Sequence, residues 1–589
     1  MSADPLPNSK TDTALLRQLI PFMRGDAWLY AIALLAAPVS ALLVVSQPWL
    51  LKIAIDDYIV VGDANGLQKV ALAYLGAVVI AFVFESVYTL TLSYAAMRTV
   101  TRLRDEVYAH TLSMSHSFYD RVPTGKLLTR ATSDVEALGE TLTAGAITIV
   151  LDILKVGGIL LAMFTLDWRL TLVMLLIGPP LAVFVEVIRR ILRRLYLAVR
   201  TNLADLNAYL AERLHGVKIV QLYSDEERAI ANFDERLYRY RDATIRTNIW
   251  DALMYATVDG LSSICMAMML WYGGSGFFES AITAGLLAAF IDYIGKLFTP
   301  IREFSAKVAV IQRASSALEK IFGLLDHREH IEQGSLVAGR ELESLVLDDV
   351  CFSYTEGHDV VCGLSLKVMP GEVVAVVGRT GSGKTTLGKL LIRAYQGYRG
   401  SIRINGQEIS ELTLDSARAV IGMVHQDVML FPGDVRFNLA LGHEIPDEDL
   451  LEAIRIVHAG DAVARIGGLD GRVEHEGRNL SVGEGQLLAF ARTMAHDAPV
   501  VILDEATASV DSLTEARIQE ATKALLERKT VLVIAHRLST IMNADRIVVL
   551  DAGRVVEIGT HAELMQSGGM YANLFHSQFT GNDPVEAAS

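Results

Sequence analysis

Apolar and polar positions divide the chain near residue 345. Before it lie long uncharged stretches; after it, short apolar runs alternate with helical ones. Ala27–Leu51 runs for 25 residues without a charge, longer than the roughly 20 residues a helix needs to cross a bilayer. A second span is expected from Val70 through Glu85 to Met97, a third over Ile147–Leu166 and a fourth over Leu170–Val187. The third and fourth are joined by a tight turn at Asp167-Trp168-Arg169. A fifth (Ala252–Gly274) and a sixth (Ile282–Phe298) are joined by a Gly/Ser turn. Before the first span, Leu15–Phe22 is amphipathic and reads as an interfacial helix.

Loop lengths and charges orient these spans. The segments after spans two and four carry Arg98, Arg102 and Arg104, and Arg189, Arg190, Arg193, Arg194 and Arg200. The loop after span one carries Asp56, Asp57 and Asp63 instead. Basic loops stay cytoplasmic, so both termini are expected there, in an inner or plasma membrane. The segments between spans two and three and between four and five are about 50–60 residues long and keep a helical apolar period (Leu203, Leu206, Leu210, Leu214). They predict helices that run far into the cytoplasm and return, with tips at Phe118–Gly125 and Leu222–Glu227.

Past Leu345 the runs Val373–Val377, Val500–Leu503, Thr530–Ile534 and Ile547–Leu550 predict the strands of an α/β domain. The expected order is a cytoplasmic N-terminus (1–26), a membrane domain (27–325), a linker (326–344), an α/β domain (345–580) and a tail (581–589).

Composition sharpens this division. The 589 residues are 51% hydrophobic and 21% charged, with a mean hydropathy of +0.34. Dominant disorder and a fully soluble enzyme are excluded. The net charge of −15 is lopsided: residues 341–589 hold 21 basic and 35 acidic side chains, leaving the first part near neutral. An acidic surface argues against a nucleic-acid partner. The three cysteines, Cys265, Cys351 and Cys362, form neither a CxxC nor a Cys/His motif, which argues against a disulfide scaffold or structural zinc.

The strongest chemical signal follows the strand Val373–Val377. Gly378, Arg379, Thr380, Gly381, Ser382, Gly383, Lys384, Thr385 and Thr386 form a phosphate-binding loop that leads into a helical run. Glycines let backbone N–H groups turn toward phosphates, Lys384 supplies a point charge, Thr385 can ligate Mg²⁺, and the helix start favours an anion. Val500–Glu505 is an apolar strand ending in two carboxylates. Asp504 suits Mg²⁺ and Glu505 the activation of an attacking water.

Together these motifs resemble the ATP-binding cassette (ABC) exporters of the half-transporter kind, in the bacterial multidrug and lipid group. The resemblance covers nearly the whole chain. Leu480-Ser481-Val482-Gly483-Glu484 is similar to the family signature, Gln426 to the Q-loop glutamine, Asp511 to the D-loop aspartate, His536 to the switch histidine, and Tyr354 to the aromatic that stacks on adenine. The resemblance implies six transmembrane helices with long cytoplasmic hairpins followed by an α/β P-loop cassette. It also implies ATP-driven export or flipping of hydrophobic molecules, with Glu505, His536 and Gln426 catalytic. Thr385, Gln426 and Asp504 would hold Mg²⁺. ATP would lie between one chain's phosphate loop and the other chain's Ser481–Glu484, so a second half-transporter chain is required. The alternative class is a membrane protein that ATP gates without uphill transport.

The signature departs from the usual Leu-Ser-Gly-Gly-Gln at Val482 and Glu484. Glu484 would weaken phosphate binding if it pointed inward. An unusual signature beside Glu505 and His536 fits a heterodimer; tolerance of valine in a homodimer is the alternative. Within the spans, Asp152/Lys155 and Asp292/Lys296 have the spacing to pair along their own helices. Glu85 and Asp259 have no such local partner and could line a cavity for cations, helped by Trp250, Tyr255, Trp271 and Tyr293.

Overall fold

The structure, a computed structural model, describes residues 12–144, 146–176, 178–278, 282–355, 357–504, 512–535 and 538–577. The chain forms two compact units. One contains the residues up to His110 and Gly125–His327; the other contains Thr111–Thr124 and the chain from Arg328 onward.

The first unit is helical. A short helix α1 (Asp12–Met23) precedes α2 (Ala27–Ile53) and α3 (Ala64–Leu112), a helix of 49 residues. After the tip come α4 (His116–Arg121) and α5 (Thr124–Thr129), then α6 (Val135–Ala144), α7 (Ala146–Leu166) and α8 (Trp168–Leu175). The return arms are α9 (Gly178–His215), α10 (Val217–Leu222), α11 (Glu226–Phe278) and α12 (Ala284–Leu325). Among the described residues, four helical stretches are long and apolar enough to cross a membrane: Arg17–Ile59, Ala64–Leu112, Thr124–Leu166 and Glu226–Trp271. They contain expected spans one, two and three, and the fifth as far as Trp271. The fourth is divided between α8 and α9, and the sixth lies in α12 from Ala284 onward.

Local chemistry explains several joints of this unit. Asp167 caps α8 by accepting from the N–H groups of Arg169 and Leu170 at 2.8 and 3.0 Å, which fixes the expected turn. Asp26 is 1% exposed and lies between Arg98 (3.2 Å) and Arg102 (2.5 Å), pinning the start of α2 to α3. A buried carboxylate needs such partners. Asp292 pairs with Lys296 at 3.0 Å as the spacing implied, and Lys296 also donates to Gln47. Asp152 does not pair along its own helix with Lys155. It reaches α12 and meets Lys307 at 2.5 Å, because a cross-helix cation neutralises it without leaving either charge alone in the apolar layer. Asp259 has an interaction partner, so it is not the free carboxylate its spacing suggested, whereas Glu85 is exposed.

The second unit is built on a six-stranded sheet. Its strands are β1 (Leu345–Phe352), β2 (Val361–Val368), β3 (Val373–Gly378), β4 (Arg399–Ile404), β5 (Gln407–Glu408), β6 (Ile421–Val424), β7 (Gly433–Asp434), β8 (Arg472–Val473), β9 (Val500–Asp504), β10 (Thr530–Ile534), β11 (Arg546–Asp551) and β12 (Arg554–Gly559). The main sheet has the order β12-β11-β3-β10-β9-β6, parallel except for edge strand β12. An antiparallel sheet, β2-β1-β4-β5, covers one side.

Side chains alternate across a strand, and this partitions the core. Val374 and Val376 join Leu387, Leu390 and Leu391 under the antiparallel sheet. Val373, Ala375 and Val377 join Leu487, Leu488 and Phe490 on the opposite face. Strands buried on both faces read as continuous apolar runs, which is why Val373–Val377 and Val500–Leu503 stand out in the sequence.

Candidate functional site

The phosphate loop connects β3 to the helix Lys384–Leu391, at the carboxyl edge of the parallel strands where open α/β sheets bind ligands. Two glycines are required by shape. Gly383 has φ +99°, and a Cβ there would meet the Val360 carbonyl oxygen at 2.8 Å. A Cβ at Gly378 would strike the Leu550 carbonyl and the Ser382 hydroxyl. Ser382 Oγ is buried without a hydrogen-bond partner, and a buried polar atom of this kind calls for a ligand.

Lys384 is 7% exposed and donates to the carbonyls of Gly378 and Arg379 at 2.7 and 3.0 Å. Burial pushes its ammonium below the usual lysine range, and the charge of Asp504 works against that shift. A poorly solvated cation held by the loop's carbonyls at the start of a helix favours an anion. Thr385, Arg379, Thr380 and Gly381 lie on the exposed side of the loop.

Tyr354 follows β1 and is 45% exposed. Its hydroxyl is 3.0 Å from Thr386 Oγ1, and its ring meets those of Phe352 and Tyr395 edge-on at 5.1 Å each. One accessible aromatic is thus fixed beside the phosphate-loop helix. Tyr395 continues the contact into the tip segment 111–124, donating its hydroxyl to Asp120 and meeting the His116 ring at 6.4 Å. The tip is anchored further by Ser115 N–H on the Glu329 carbonyl (2.8 Å), the Arg121–Glu329 ion pair and the buried Phe118. The second expected tip, around Leu222 and Tyr223, leaves these side chains 79% and 76% exposed. Tyr395 was missed in the sequence because nothing local marks it; only the packing of distant segments does.

Asp504 ends β9, paired in register with Ile534 of β10. Gln426 is exposed just past β6. Glu505, Asp511 and His536 lie outside the described residues.

The signature segment starts the helix Val482–Ala495. Ser481 is its N-cap: Oγ accepts from Glu484 N–H at 3.2 Å while the Glu484 carboxylate accepts from Ser481 N–H at 2.7 Å. This is a capping box. Arg465 donates to the same carboxylate at 2.7 Å. Partial burial works against ionisation of Glu484, but these hydrogen bonds outweigh it and hold the carboxyl below its usual range. Its charge is therefore engaged locally. Ser481 still has a hydroxyl proton to donate, Gly483 is buried, and Val482 is 68% exposed.

Comparison with known proteins agrees with this arrangement. Residues 30–301 match the ABC transporter transmembrane region and residues 361–508 the ABC transporter family. The chain is 32% identical to an ATP-dependent lipid A-core flippase of Chromobacterium violaceum, over 97% of this chain and 98% of the flippase. It is also 32% identical to a probable multidrug resistance ABC transporter ATP-binding/permease protein, YheH of Bacillus subtilis, over 88% of this chain and 77% of YheH. The solved structure of a bacterial Atm1-family ABC exporter with ATP bound superposes with a TM-score of 0.72, at 26% identity, covering 96% of this chain and 99% of that one. The chain belongs to the ABC transporter family, as a multi-pass membrane protein that carries its own ATP-binding cassette.

Proposed function

We propose that the chain is one half of a dimeric exporter or flippase that moves hydrophobic or amphipathic molecules, such as drugs or lipids, outward across the inner or plasma membrane. Six spans, with both termini and the cassette cytoplasmic, complete this reading. The observation that carries it is the placement of two anion-favouring helix starts. The helix Lys384–Leu391 packs with the core on one face of the main sheet, and the helix Val482–Ala495 with the core on the other. The two starts of one chain thus belong to opposite faces of its sheet. Two chains facing head to tail can bring one start of each together, which supports ATP held between the phosphate loop of one and Ser481, Val482 and Gly483 of the other.

In this reading Tyr354 stacks on adenine, and the N–H groups of Gly378–Thr386 and Lys384 hold the phosphates. Glu505 takes the proton of the attacking water. His536 donates to the transferring phosphoryl group, and Asp511 bridges the two cassettes. Thr385, Asp504 and Gln426 supply the oxygen donors that Mg²⁺ favours; the ion would neutralise phosphate charge as the bond breaks. The tip 111–124 is covalently continuous with α3 and α5, so cassette closure would draw on them and favour an outward-facing cavity.

ATPase of the purified chain tests this. The expected result is activity stimulated by a hydrophobic substrate and lost in Glu505→Gln. Full cooperative activity from this chain alone assigns a homodimer; activity that needs a second, co-expressed half-transporter assigns a heterodimer. Undiminished hydrolysis by Glu505→Gln would overturn the assignment of roles.

A further inference from the structure

Eleven positions separate Cys351 from Cys362 in the chain, yet the β1–β2 pairing brings both beside the Phe352–Val361 pair, where the register shifts. The two sulfurs and a carboxylate oxygen of Asp359 lie within 4.8 Å of one another. Both thiols are partly exposed, whereas the third cysteine, Cys265, is 2% exposed. Cationic groups flank the pair. Arg554 donates to Cys362 Sγ at 3.6 Å, and Arg399 reaches both the Cys351 sulfur and Asp359. Two guanidinium groups on the prospective ligand atoms disfavour a bound metal cation, so the cluster suits thiol chemistry.

The pair is wired to the nucleotide site. Cys362 N–H donates to the Gly553 carbonyl at 2.8 Å, and Gly553 N–H donates to the Ser382 carbonyl in the phosphate loop at 3.2 Å. The segment between the cysteines carries Tyr354, and also Val360, whose carbonyl packs against Gly383. We propose that Cys351 and Cys362 form a reversible redox site whose disulfide weakens ATP binding. The regulatory effect rests on the role proposed above for Tyr354 and the phosphate loop.

The chemistry balances simply. Two S–H bonds and the S–S bond of a low-molecular-weight disulfide break, one Sγ–Sγ bond forms, and the two electrons and two protons pass to that disulfide, which is released as two thiols. The two sulfurs are free thiols here, and a bond of ~2.05 Å requires them to draw together. A shift of Cys351 costs the hydrogen bond it accepts from Gly363 N–H, and a shift of Cys362 acts where it holds Gly553. Cytosolic disulfides are rare and mostly transient, which suits a sensor and not a staple.

The test uses the full chain in lipid nanodiscs, oxidised with diamide and then reduced with dithiothreitol. Both cysteines fall in one tryptic peptide, residues 341–367. That peptide should become lighter by two hydrogens on oxidation, and the KM for ATP should rise several-fold and recover on reduction. Cys351→Ser and Cys362→Ser should each keep the reduced activity and lose both responses. A peptide of unchanged mass, or a disulfide that leaves the KM unaltered, would overturn the proposal. So would zinc retained through gel filtration by the wild type and lost in Cys351→Ser. Reduced protein with no ATPase activity would instead strike at the proposed function, and nucleotide binding by a fluorescent ATP analogue would then read the redox effect.

Discussion

Tyr395 donates its hydroxyl to Asp120, and its ring stands edge-on to Tyr354 at 5.1 Å. A residue of the membrane hairpin's tip and the aromatic proposed to stack on adenine thus share one neighbour. Burial first, and then the bond to Asp120, push the Tyr395 phenol well above its usual range, so it remains a donor at any working pH. Tyr395→Phe keeps the ring packing and removes only this bond, worth about 1.5–3 kcal/mol when the acceptor is charged. Basal ATPase should stay near wild type while stimulation by transported substrate falls. ATPase rates with and without substrate read this directly.

Glu484 is engaged by Ser481 and Arg465, so restoring the family's glutamine should gain little. Glu484→Gln keeps an acceptor at the helix start and should leave the KM for ATP within about two-fold, under 0.5 kcal/mol. Glu484→Ala keeps the Ser481 cap but loses the carboxylate that accepts from Ser481 N–H and Arg465, and should destabilise the cassette by about 1 kcal/mol. Thermal unfolding of the two variants distinguishes these outcomes.

The same contacts give a pH dependence. The folded Glu484 carboxyl titrates below its unfolded value. Its contribution to stability is therefore complete above the ordinary glutamate range and is lost as pH falls through the lower, folded value. The gap in Tm between wild type and Glu484→Gln should be constant near neutrality and shrink on acidification below pH ~4.3.

Within the membrane unit, Asp152 and Lys307 neutralise each other at 2.5 Å. Asp152→Ala removes the lysine's cross-helix carboxylate and should lower Tm, and Lys307→Ala should do the same. A double-mutant cycle should return a coupling of roughly 1–3 kcal/mol. Additive effects would show that the pair is incidental.

Features carried by contiguous residues were legible in the sequence. The phosphate loop, the apolar strand ending at Asp504 and the turn capped by Asp167 each need only neighbours along the chain. Pairings set by tertiary packing were not. Asp152 has Lys155 three residues away and chooses Lys307; helical spacing cannot weigh a cross-helix partner. Cys351 and Cys362 match no spacing motif, because strand register brings them together. Nor could the direction of the Glu484 side chain be read, since Arg465 approaches it from another helix.

The central claim is that ATP hydrolysis drives substrate uphill. Inverted membrane vesicles given ATP and a hydrophobic dye measure it most directly. The account predicts dye accumulated above the external concentration by wild type and none by Glu505→Gln. Dye that only equilibrates in the wild type, or equal accumulation in both, would contradict it.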